Sequence, residues 1–159
     1  MELPWRRKDA IKAGGTRTAA GADEMDRGKR TAERSHHKET EDMNQAQTEA
    51  LIRLMLAARY ADKKITLSET DAFQKQAEKL PWNSGTGQSL FVQQATAEVR
   101  KALATEEARQ EFVRAQCAQF PDSESGLAVV RQIEALLAAD GVDEKENEFL
   151  RQIRGALKA

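Results

Sequence analysis

One pattern occurs twice in this chain, as Ala61-Asp62-Lys63-Lys64-Ile65-Thr66-Leu67-Ser68-Glu69 and as Ala138-Ala139-Asp140-Gly141-Val142-Asp143-Glu144-Lys145-Glu146. In each copy Ala-Asp closes an apolar helical stretch. A β-branched residue follows (Ile65, Val142), and a glutamate (Glu69, Glu146) opens the next helix. The correspondence runs upstream, with Leu51-Ile52-Arg53 over Val129-Val130-Arg131 and Met55 over Ile133. Downstream, Phe73 falls over Leu150 and Leu80 over Leu157. Two helix–acidic turn–helix units flanking a middle section predict an all-α fold: a compact helical bundle of about six helices with an internal pseudo-repeat. No stretch of alternating polarity is long enough to argue for a strand.

The periodicity and the capping residues place those helices. Asn44 with Gln47 caps a first helix over 45–61, whose apolar face is Leu51, Ile52, Met55, Leu56 and Arg59-Tyr60. Thr66-Leu67-Ser68-Glu69 is a capping box opening a second helix, which turns Phe73, Ala77 and Leu80 inward before Pro81 stops it. Trp82 to Gly87 reads as a loop; an aromatic just past a helix end serves as a packing lid more often than as part of a ligand pocket. A third helix over 88–104 carries Leu90, Phe91, Ala95, Val99 and Leu103. Thr105 caps a fourth, which ends near Phe120-Pro121. Asp122 or Ser123 caps a fifth, with Leu127, Val130, Ile133, Leu136 and Leu137 inward. The sixth opens at Asp143-Glu144-Lys145-Glu146 and buries Phe149, Leu150, Ile153 and Leu157.

Residues 1–42 read differently. Charges of both signs are dense there, glycines interrupt, and apolar side chains are few. Such a segment buries too little surface to offset its ordering entropy, so it is expected to be a disordered charged tail ahead of a helical domain over 43–159. Met43 is an alternative start, because the helical pattern begins directly after it. Arg6-Arg7-Lys8 and His36-His37 lie in this tail, among mixed charges that fit a solvated segment better than a nucleic-acid or metal contact.

A formal net charge of −1 supplies no field for nucleic acid or an anionic membrane surface. No apolar run approaches a membrane span, and no secretory signal is evident. The one cysteine, Cys117, lies on a helical pattern beside Phe112 and Val113. It reads as a buried, inert thiol in a reducing, cytoplasmic setting.

The chemistry lies in the acidic turns. Glu69 and Glu146 stand where a capping box uses a carboxylate to bind backbone N–H groups, with no further role implied. Asp62 and Asp140 fit that account less well, because a carboxylate at a helix C-terminus faces outward-pointing carbonyls at a cost of ~0.3–1 kcal/mol. A cation would turn the placement into a site. Asp62, Glu69, Asp140, Asp143 and Glu146 are all hard oxygen ligands, suited to Ca²⁺, Mg²⁺ or Mn²⁺ rather than to zinc or copper. The turns are not EF-hands: Ala58 and Tyr60, or Leu136 and Ala138, stand where the first ligands of that loop belong.

Ala61-Asp62, Ile65 and Glu69, with Ala139-Asp140-Gly141, Val142 and Glu146, resemble the signature of the TerB-like family, named for a tellurite-resistance protein. The resemblance spans about 43–157. It differs at Lys63, where the first motif usually has glycine, and in a second turn one residue shorter. It implies a helical bundle with internal pseudo-symmetry, an acidic cluster proposed to bind a divalent cation, and a part in tellurite resistance or broader stress response. Such proteins often work near a membrane-associated complex. It implies no catalytic activity.

The expected function is therefore a non-enzymatic, cytoplasmic TerB-like domain with a candidate divalent-cation site and a protein partner. The alternative is a purely structural helical interaction module whose acidic turns are caps. An enzyme ranks third: both histidines fall in the tail, and neither a nucleophile–base pair nor a glycine-rich phosphate cradle is evident.

Overall fold

A computed structural model describes residues 42–61, 65–139 and 141–157. The expected tail, its basic cluster and its histidine pair lie outside the described residues, apart from Asp42. Six helices follow one another: α1 (Gln45–Arg59), α2 (Leu67–Ala77), α3 (Gln88–Ala102), α4 (Glu106–Cys117), α5 (Ser123–Leu137) and α6 (Glu144–Leu157). No strand occurs among the described residues.

Local chemistry decides where each helix begins. Asn44 Oδ1 accepts from the Gln47 N–H at 3.0 Å while Gln47 Oε1 accepts from the Asn44 N–H, a reciprocal box at the start of α1. Thr105 Oγ1 accepts from the Ala108 N–H to open α4, and Asp122 Oδ1 accepts from Ser125 to open α5. Each acceptor satisfies an N–H that the helix geometry leaves without an intrahelical partner. Only α3 starts without a side-chain cap, after Gly87. Its first residue instead ties it to α2, since Gln88 Nε2 donates to the Ala77 carbonyl at 2.7 Å. The α2–α3 loop is fixed by Trp82, which donates to the Thr86 carbonyl at 2.7 Å and lies against the Phe91 ring, centroids 5.0 Å apart. Trp82 therefore acts as a packing lid.

Helix α1 is the axis of the bundle and contacts all five other helices. Ala50, Leu51, Ile52, Leu54, Met55, Leu56, Ala57 and Ala58 are all buried, so its apolar surface wraps around the helix instead of forming one stripe. A helix apolar on every side is stable only when surrounded. Arg53 is the break in this run. Its guanidinium reaches Glu49 and Glu98 and lies over the Phe91 ring at 4.7 Å, keeping its charge at the edge of the core.

The other helices each contribute a narrower face. Phe73, Ala77 and Leu80 turn inward from α2 and the residues after it, and Phe149, Leu150, Ile153 and Leu157 from α6, as their spacing predicts. Gly126 is buried against Leu157, where an added Cβ would come into van der Waals contact with Leu157 Cβ at 3.4 Å. Cys117 is buried, and burial pushes its thiol up to about 12, which leaves it unreactive near neutral pH.

One inward assignment, Leu127, fails, and the apolar Leu90 of α3 also faces solvent. Leu90 sits in the uncapped first turn of α3, ahead of the Phe91–Ala95–Val99 face that meets α1. On α5 the buried set is Gly126, Ala128, Val129, Val130, Ile133, Leu136 and Leu137, because α1, α2 and α6 all pack against this helix. That rotates the core face past Leu127 and brings in Val129.

Leu137 is fully buried at the last turn of α5. Leu137→Ala is expected to cost ~2–5 kcal/mol in urea unfolding. A loss under about 1 kcal/mol would mean that α5 is faced wrongly.

Candidate functional site: the two acidic turns

Both acidic turns end in the same device. At the start of α2, Glu69 Oε2 accepts from the Thr66 N–H at 3.0 Å and Thr66 Oγ1 accepts from the Glu69 N–H at 3.2 Å. At the start of α6, Glu146 Oε2 accepts from the Asp143 N–H at 2.8 Å and Asp143 Oδ1 accepts from the Glu146 N–H at 2.9 Å. Each box satisfies two orphan N–H groups at the positive end of a helix dipole. Both glutamates are core residues, 2% and 3% exposed. A buried carboxylate is costly unless it is hydrogen-bonded, and the box supplies those bonds.

The surroundings of the two boxes differ. Beside the first stands Arg59, the last residue of α1 and itself buried. Its Nη2 donates to Thr70 Oγ1 at 2.8 Å, and Thr70 Oγ1 donates in turn to the Thr66 carbonyl at 2.9 Å. The guanidinium also lies over the Phe73 ring at 5.0 Å. This chain joins the end of α1 to the start of α2 across the turn. Burial pulls the Arg59 pKa below its ordinary value, while Tyr60 and the negative charge of Glu69 hold it up. In the sequence correspondence Arg59 falls over Leu137, an apolar residue at the matching place in the second unit. A buried cation thus neighbours the first acidic box, and an isobutyl group stands at its counterpart.

Of the five expected cation ligands, Glu69, Asp143 and Glu146 are held in the boxes. Asp62 and Asp140 lie outside the described residues. Among the described residues no group of three or more His, Cys, Asp or Glu side chains is arranged to hold a metal ion. Asp143 and Glu146 come together at one helix start, each with one carboxylate oxygen on a backbone N–H. Glu144, on the first turn of α6, is exposed. The second turn also contains Gly141, whose φ of 98° lies in the left-handed region that glycine adopts without strain.

Sequence reasoning assigned Arg59 to an apolar face and missed its part in the turn. Its position, ending an apolar run directly before an acidic segment, was the available signal. The flanking apolar residues are another feature of both turns: Leu67 is 85% exposed, and Ile65 and Val142 are also exposed. No protein-family model, curated protein or solved structure matches the chain.

Removing either carboxylate should leave an N-cap N–H unsatisfied. Glu69→Ala and Glu146→Ala are each expected to cost about 1–3 kcal/mol in urea unfolding. The corresponding glutamine variants keep an acceptor at N3 and should lose less than about 1 kcal/mol. Alanine variants as stable as the parent would show that the boxes contribute nothing.

Proposed function

We propose that this chain is a non-catalytic, TerB-like helical module that acts by binding, with its two acidic turns as the functional elements. The observation that carries this reading is the pair of reciprocal capping boxes, each built on a buried glutamate, at the starts of α2 and α6. Their glutamates belong to the family-like pattern, of which only Asp62 and Asp140 lie outside the described residues, and the matching boxes support the internal pseudo-repeat suggested by the sequence. On this reading the setting is cytoplasmic, in tellurite resistance or a related stress response, with a protein partner near a membrane-bound complex.

Asp62, Glu69, Asp140, Asp143 and Glu146 would provide the oxygen ligands for Ca²⁺, Mg²⁺ or Mn²⁺. Arg59 biases the site. Its charge, set beside Glu69, disfavours a divalent ion at the first turn.

A second reading also has support. Each boxed glutamate already spends one oxygen on a backbone N–H, and exposed Ile65, Leu67 and Val142 offer apolar contacts beside the turns. In that case the chain is a structural interaction module without metal.

Titration of the full chain with Ca²⁺, Mg²⁺ and Mn²⁺ separates the two. Cation binding predicts saturable amide shifts at Gly141 to Glu146 and a higher melting temperature. The stabilisation follows native-state linkage, about 2.7 kcal/mol at a hundredfold excess over Kd. Asp140→Asn should weaken the response more than Glu144→Gln. Unchanged melting temperatures and amide positions at millimolar cation would leave the structural module as the function.

A further inference from the structure

A concave site lies away from the capping boxes, where the end of α1 meets the turn between α3 and α4. It is an open concavity of about 330 Å³, lined by Tyr60, Ala61, Arg100, Leu103, Ala104 and Arg109. That volume is at the small end of the range for organic ligands. Its polar groups are two arginines and a phenol, and the remaining lining is aliphatic.

Neither arginine hangs loose. The Arg100 guanidinium lies over the Tyr60 ring, 5.1 Å from the centroid, and Nη2 donates to Tyr60 Oη at 3.3 Å. These partners are neutral, and no carboxylate among the described residues pairs with Arg100. Because Tyr60 Oη accepts from Arg100, its own O–H remains to donate. Arg109 pairs with Glu106 through Nη2, at the solvent-exposed edge. Its Nε is buried and has no acceptor. With no accessible surface, that Nε is out of a ligand's reach, so Arg109 meets the cavity through the rest of its guanidinium. The stacking and the ion pair hold both guanidinium groups in place before a ligand arrives, which lowers the ordering cost of binding.

We infer that this cavity binds a small organic anion, a carboxylate or phosphate joined to a compact apolar body. Arg100, Arg109 and the Tyr60 hydroxyl take the charged oxygens. Leu103, Ala61 and Ala104 cover the apolar part. Fork-shaped donors suit both head groups, because each presents paired oxygens to a guanidinium. A second cavity among the described residues, about 260 Å³ and lined by Gln110, Val113, Arg114, Gln152 and Ala156, has one arginine. Arg100 also lies in the last turn of α3, where a cation complements the helix dipole without any ligand. The two roles are separable by titration.

The test uses the full chain, ¹⁵N-labelled, titrated separately with benzoate, phenyl phosphate and inorganic phosphate. Benzoate or phenyl phosphate should produce saturable shifts at Ala61, Leu103 and Ala104, and the stronger of the two identifies the head group. Inorganic phosphate should bind more weakly than phenyl phosphate, because it leaves the aliphatic wall uncovered. Arg100→Gln and Arg109→Gln should each weaken binding about tenfold. Arg114→Gln, in the second cavity, should leave it unchanged. If Arg109→Gln loses the fold, Arg109→Lys keeps the charge but not the fork, and should bind with intermediate affinity. No saturable shift at these three residues up to roughly 10 mM of any probe, a very weak limit, would assign the arginines to helix-end stabilisation and overturn the site. So would equal weakening by Arg114→Gln.

Discussion

Burial of α1 on all sides is the constraint the rest of the fold satisfies. Leu51, Ile52, Leu54, Met55 and Leu56 are consecutive or nearly so, and none has more than a trace of exposed surface. At about 1.5–3 kcal/mol for each large side chain, this segment alone matches the net stability of a typical domain, ~5–15 kcal/mol. No single neighbour can cover a helix that is apolar all round. Five helices do so here, each contributing a partial face, and the short connections between them follow from that need. Apart from Leu90, the exposed outer surfaces of α3, α4 and α6 are mostly polar.

The acidic turns are where this arrangement becomes exacting. Each must end a helix that the core has buried and restart the chain in a new direction with its backbone donors satisfied. A glutamate at N3 does this from inside, and the capping box makes its burial tolerable. At the first turn Arg59 adds a buried cation that ties α1 to α2 through Thr70. The second turn has Leu137 at the corresponding place and a left-handed glycine instead. Similar sequence patterns thus produce two joints with different residues at the end of the preceding helix.

Much of the fold is legible from residues alone, because helix ends are written locally. Asn44, Thr66, Thr105, Asp122 and Asp143 each cap the helix that follows them, and Pro81 and Pro121 fall between helices. Helix facing is less legible, because it depends on how many neighbours a helix has. Leu127 fits an inward stripe on paper, yet three partners for α5 bury Val129 and leave Leu127 in solvent. The same logic hid the centrality of α1: a six-residue face was expected, and Leu54, Ala57 and Ala58 proved as buried as its apolar members. The site was legible in its caps and opaque in its tertiary parts. Thr66, Glu69, Asp143 and Glu146 are close in sequence, so spacing finds them. Arg59, and the meeting of Tyr60 with Arg100 and Arg109, depend on packing between helices distant along the chain.

Native-state hydrogen exchange tests the central role of α1 most directly. If the bundle is organised around this helix, the amides from Leu51 to Ala58 exchange only when the whole protein unfolds. Their opening free energy then equals the global value, and its denaturant dependence equals the full unfolding slope. Amides of α3 and α4, each covered on fewer sides, should open at lower cost. Exchange of the α1 amides through a sub-global opening, while α5 and α6 stay protected, would contradict the account.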